Sequence, residues 1–124
     1  MPVTFELQEN GTVLYWKIED PWKLSELISY YKQAEVIFDN ASHVIHSLVD
    51  VRYARQIPAG ALSVRHSTTW HHPQSGQTAI VGASPLIRAM AETIFQLVRF
   101  NRARFFNSEA EARNYLLMLV AQET

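Results

Sequence analysis

The chain has 124 residues, 48% of them apolar and 19% charged, with a formal net charge of −1. That composition excludes a disordered or low-complexity chain and predicts one folded domain over 1–124 with a core of its own. The absence of cysteine excludes disulfides, thiolate metal sites, iron–sulfur clusters and cysteine nucleophiles.

The near-neutral total conceals an uneven distribution. Residues 1–50 carry eight acids and three lysines, whereas residues 51–104 carry seven arginines and one acid. The arginines are expected to neutralise acids across the fold. They form no basic run, so nucleic acid is not an expected partner. Met1 to Thr12 has no basic start followed by an apolar stretch, which argues against a secretion signal. The apolar run Tyr115 to Ala121 is far short of the ~20 residues that a membrane span requires. A cytoplasmic location is the expectation.

Val3 to Leu7 alternates apolar and polar residues as a half-buried strand does, and Asn10-Gly11 marks a hairpin turn into a second strand over Thr12 to Ile18. Asp20-Pro21 reads as the opening of a first helix, with Asp20 as N-cap and Trp22 in the first turn. Leu24, Leu27, Ile28 and Tyr31 fall on one stripe, and Glu35 interrupts it, so the helix is expected to end or loosen there. Val44 to Val51 reads as a buried strand. Pro58 and Gly60 mark a turn, Ala61 to Trp70 a short helix, and His71 to Gly76 a loop. Gln77 to Ala83 is a short strand. Ser84-Pro85 opens a strongly periodic helix over Leu86 to Phe100. Ala103 to Phe106 is a strand, and Ser108-Glu109-Ala110-Glu111 fits a capping box before a helix whose stripe is Ala112, Tyr115, Leu116 and Leu119. The order predicts an α/β fold: a mixed four- to five-stranded sheet, largely parallel, with the first hairpin strand antiparallel at an edge and the helices mainly on one face.

Few residues suggest chemistry. The five histidines are His43, His46, His66, His71 and His72. None stands in a metal-ligand spacing, and His43 and His46 are three apart at a strand, which turns their rings to opposite faces. They are read as exposed loop residues without a ligand role, and no metal is expected. Ser84 follows a strand in Val81-Gly82-Ala83-Ser84-Pro85. Pro85 breaks the nucleophile-elbow pattern and removes a backbone N–H that an oxyanion hole would use, so Ser84 is read as a helix cap. The same helix start, with Arg88 one turn in, is a candidate anion site. Gly82 alone matches no phosphate loop or dinucleotide fingerprint, and no cofactor is expected. With no convergent nucleophile, base and oxyanion set, no enzymatic activity is expected. Arg88, Glu92, Gln96 and Arg99 form a polar ridge on the helix with Phe95 at its margin. An aromatic residue bracketed by arginines has the composition of an interface anchor. Trp70, beside His71 and His72, is a candidate for a pocket mouth or a partner surface. The interaction candidates are therefore Arg88, Phe95, Arg99 and Trp70.

The opening hairpin, the strand ending in Leu48-Val49-Asp50-Val51-Arg52, the strand Ala79-Ile80-Val81-Gly82, and Arg104-Phe105-Phe106 before Ser108-Glu109-Ala110-Glu111-Ala112 together resemble the STAS or SpoIIAA-like domains, the bacterial anti-sigma-factor antagonist relatives. The resemblance spans nearly the whole chain. It implies a SpoIIAA-like fold and a non-enzymatic regulatory module that binds protein partners, and such a module is expected to self-associate, as a homodimer. In the best-known branch a serine in a D-S-[ST]-G stretch is phosphorylated. Here the stretch resembles Gln56-Ile57-Pro58-Ala59-Gly60-Ala61-Leu62, and Pro58 and Ala59 stand in place of the aspartate and the serine. Neither carries a hydroxyl, so no phosphoswitch is expected at that position. The broad fold also includes lipid-carrying domains with a pocket between helices and sheet. A binder of a small apolar or anionic ligand is thus the alternative expectation.

Overall fold

The computed structural model describes residues 2–123. Val3–Gln8 (β1) and Val13–Glu19 (β2) pair antiparallel, and the connection turns on three successive left-handed residues, Glu9, Asn10 and Gly11. Asn and Gly tolerate that conformation at little cost, which is why the Asn-Gly signal locates the hairpin.

The first helix does not begin where the sequence suggested. Asp20 caps no helix. Its carboxylate accepts the backbone N–H groups of Arg55 and Gln56 at 2.8 and 3.1 Å, and the Asp20–Pro21 peptide is cis. Trp22 therefore precedes the helix. It is buried and donates its indole N–H to the Gln56 carbonyl at 2.9 Å. Helix α1 runs from Leu24 to Asp39 and passes Glu35 without a break. Its buried line is Leu27, Ala34 and Phe38, spaced by seven and four residues, so the apolar face continues beside Glu35 instead of through it.

Ile45–Tyr53 (β3) leads into two 3₁₀ helices, Ala61–His66 and Thr68–His71, where a single short helix was expected. Ser75–Val81 (β4) starts two residues earlier than predicted and includes Gly76. Pro85–Val98 (α2) is capped by Ser84, whose hydroxyl accepts the Ile87 N–H. It ends before Phe100. Arg99 adopts a left-handed conformation, its N–H reaches the Gln96 carbonyl, and the Phe100 N–H reaches back to the Phe95 carbonyl at 2.8 Å. This is a Schellman stop, with Phe95 and Phe100 in ring contact at 5.5 Å as its apolar clasp. Ala103–Phe106 (β5) and Glu109–Glu123 (α3) follow, and the Ser108 hydroxyl accepts the Glu111 N–H.

The strands form one five-stranded sheet in the order β1-β2-β3-β4-β5, antiparallel at the β1 edge and parallel elsewhere. The chain advances one strand at a time in one direction. Strand alternation divides the apolar residues into two cores. On one face Leu14, Trp16, Ile45, Val51 and Ile80 meet α1, α2 and the first 3₁₀ helix; on the other Val13, Leu48, Ala79 and Val81 meet Ala112 and Leu116 of α3. No helix among the described residues is long and apolar enough to cross a membrane.

Candidate functional site

The two faces are packed to different degrees. Beneath α3, Leu48, Ala79 and Val81 are wholly buried. Beneath α1 and α2, three residues of the central strands β3 and β4, Ser47, Val49 and Thr78, keep accessible surface although helices lie over them. Small side chains at these positions leave the space between sheet and helices unfilled. The result is a cavity of about 170 Å³.

Its floor is Trp16, Ser47, Val49, Thr78 and Ile80, and its roof includes Leu27, Tyr31 and Phe38 of α1 and Ile87, Met90 and Ile94 of α2. The 3₁₀ segment closes one side through Ala61, Val64, Thr69 and Trp70. Among the described residues lining the cavity, none carries a charge. The polar side-chain groups are hydroxyls and tryptophan indole N–H groups, of which those of Trp22 and Trp70 are bonded to backbone carbonyls. Ser47 and Thr78 are direct neighbours across the β3–β4 pairing, and Tyr31 of the helix layer belongs to the same lining. Burial alone pushes the Tyr31 phenol well above its usual range, so it stays protonated.

Trp70 is the fixed point of the wall. Its indole N–H donates to the Val64 carbonyl at 2.8 Å, and its ring meets Tyr31, Phe95 and Phe100 at 6.0, 5.9 and 5.4 Å, edge to face. Arg102 donates to the Trp70 carbonyl at 3.0 Å, and His71 is 2.6 Å from the Val98 carbonyl. Outside, Trp70 also borders a more open surface depression with Arg65, His66 and Leu97. Trp70 thus borders both the cavity and this outer depression.

The other face carries the charge network. Asp50 is wholly buried, and its carboxylate accepts the Arg52 backbone N–H at 3.0 Å and the Arg52 Nη2 at 2.7 Å. Arg52 also reaches Glu109 of α3, which pairs with Arg113, and Arg113 pairs with Glu9. Tyr15 donates to Asp50 at 3.3 Å, and burial next to that carboxylate pushes the phenol up to about 12. Every member has a partner, so the network fastens α3 to the sheet.

The candidates from the sequence separate. Ser84 is a cap. Arg88 pairs with Glu92 at 3.1 Å and lies 4.4 Å over the Phe105 ring. Arg88 and Arg99 are exposed along the ridge, but Phe95 is half-buried, packs against the core and lines the cavity with Trp70. The large apolar residues that α2 exposes are Leu86 and Leu97, at 59% and 56%, on the flank opposite Arg88 and Arg99. The histidines are not uniformly exposed loop residues. His46 lies in β3 at 2% exposure, and His72 bonds Asp39 at 2.7 Å. No group of three or more His, Asp or Glu among the described residues is placed to hold a metal. Of the cavity lining, the sequence pointed to Trp70 as a pocket-mouth residue, and it missed the floor. Its signal was a run of small or hydroxylated residues, Ser47, Ser75 and Thr78, at inward positions of central strands.

No protein-family model matches the chain, and no curated protein matches it.

Proposed function

We propose that this protein is a cytoplasmic, non-enzymatic binder of a small apolar ligand, held in the cavity between the sheet and α1, α2 and the 3₁₀ segment. The observation that carries the reading is the half-buried floor: Ser47, Val49 and Thr78 retain surface under a helical layer, where a packed core would seal them. A concave apolar wall with a few hydroxyls is the usual make-up of a small-molecule site. The likeness of the sequence to STAS or SpoIIAA-like domains, whose fold group includes lipid carriers, agrees with it. Val49→Phe tests the reading by filling the floor. The variant is expected to keep the fold and to lose uptake of small apolar probes, followed by native mass spectrometry and thermal shift. Undiminished uptake would remove the cavity as the site.

A second reading, the protein-interaction module, is favoured by Leu86 and Leu97. They lie eleven residues apart, about 20° from each other around α2. Two copies of α2 packed antiparallel would set Leu86 of one copy against Leu97 of the other, the self-complementary arrangement of a two-fold dimer. Leu97→Glu is expected to convert such a dimer to monomer in light scattering; an unaltered mass would end this reading.

A further inference from the structure

The cavity lining has a division of chemistry that narrows what it accepts. The walls are aromatic and aliphatic, and no charged side chain lines them among the described residues. An ionised group brought inside would lose its hydration with no counter-charge to replace it. The volume of about 170 Å³ is small, close to the roughly 150 Å³ that holds a benzene ring in an apolar protein cavity. The lining is not wholly apolar either. The Tyr31 hydroxyl makes no hydrogen bond with a described residue, and no buried side-chain polar atom in the described structure is both sealed from open space and unpaired. The hydroxyl therefore keeps open space beside it, and Tyr31 is one of the residues that line the cavity. Ser47 and Thr78, adjacent on the floor, likewise make no side-chain hydrogen bond with a described residue. Burial keeps the Tyr31 phenol protonated, so it has a proton to donate.

We propose, building on the ligand-binding reading above, that the cavity selects uncharged molecules of about the size of a substituted six-membered ring that carry one oxygen function hydrogen-bonded by Tyr31 and by the Ser47–Thr78 pair. The class comprises small phenols, alcohols, ketones and esters. Carboxylates, phosphates and amines of the same shape are excluded by the uncharged wall, and pure hydrocarbons bind more weakly because they leave the hydroxyls unpaired.

The test uses the full chain and four probes of one shape: p-cresol, p-xylene, 4-methylbenzoate and 4-methylbenzylammonium, measured by isothermal titration calorimetry at pH 7. The expected order is p-cresol first, p-xylene weaker by about 5- to 10-fold, as one net hydrogen bond implies, and the two ions weaker than p-cresol by at least 100-fold. Tyr31→Phe, and separately Ser47→Ala with Thr78→Val, should each weaken p-cresol by about 5-fold and leave p-xylene within twofold. Equal binding of p-cresol and p-xylene, binding of either ion within tenfold of p-cresol, or variants that weaken both neutral probes alike would overturn the proposal while leaving the cavity reading intact. Failure of both neutral probes to bind the unaltered chain would overturn the cavity reading and this proposal together. The probe order in the unaltered chain decides the matter even if a variant does not fold.

Discussion

The imidazole of His46 lies against the α-carbon of Gly76, in the space that a methyl group at position 76 would need. The ring is held at both nitrogens. Nδ1 accepts the Gln77 N–H at 2.9 Å, and Nε2 lies 2.9 Å from the Glu123 carboxylate. An acceptor at Nδ1 places the ring proton on Nε2, which donates to Glu123. One imidazole thereby joins β3, β4 and the last turn of α3. Gly76→Ala is expected to cost about 1–3 kcal/mol by overpacking, read as a lower midpoint in urea unfolding. Adding His46→Ala should recover part of that loss, because the opposing ring is gone. Strictly additive losses would show that the ring is not what excludes the methyl.

Asp50 gives the fold a pH dependence of known sign. Burial pushes its carboxyl up, but the hydrogen bonds from Arg52 outweigh burial and hold it below its ordinary value. A folded pKa below the unfolded one means that the ionised form favours folding. The contribution is fully present above about pH 4, the ordinary aspartate value, and is lost as pH falls through the lower folded value. Asp50→Asn should destabilise by about 2 kcal/mol at pH 7, less than for a fully buried pair because water reaches Arg52. It should also flatten the acid limb of the stability curve. An acid limb as steep as that of the unaltered chain would assign the dependence to other carboxylates.

Phe95 tests where the aromatic residue of α2 does its work. Its ring meets Trp70, Phe100 and Phe105. Phe95→Ala should therefore lower stability by about 3 kcal/mol and leave the association state unchanged in light scattering. A lost dimer with unaltered stability would return Phe95 to the role of interface anchor.

Arg99 offers the opposite sign. It holds φ 58° and ψ 41° after the end of α2, a conformation that costs a non-glycine residue roughly 1 kcal/mol. Arg99→Gly should raise the melting temperature, with a gain of about 0.5–1 kcal/mol. A loss of stability would mean that the guanidinium makes a compensating contact.

The elements most legible in the sequence were those whose start and stop chemistry is local. Ser84-Pro85, the Ser108 capping box and Asn10-Gly11 each announce themselves within four residues. The true end of α2 was hidden because arginine occupies the position where glycine normally marks a Schellman stop. The start of α1 was misplaced because Asp20 has the right residue type for a cap but finds its N–H partners at Arg55 and Gln56, 35 and 36 residues away. The candidate site was legible only at Trp70, for the same reason. Polar ridges on α2 can be drawn from a helical period, but a gap between layers depends on the sizes of side chains from several distant segments at once.

The uneven filling of the two layers has a mechanical consequence. A sheet packed tightly under α3 and loosely under α1 and α2 is incompressible on one side and compliant on the other. Hydrostatic pressure favours the state with less void, so it should force water first into the space above Ser47, Val49 and Thr78 while the α3 side stays shut. Amide signals of β3 and β4 facing α1 should then shift with pressure well before Leu48, Ala79 and Leu116 respond. A molecule lodged above that floor would stiffen it and move the onset to higher pressure.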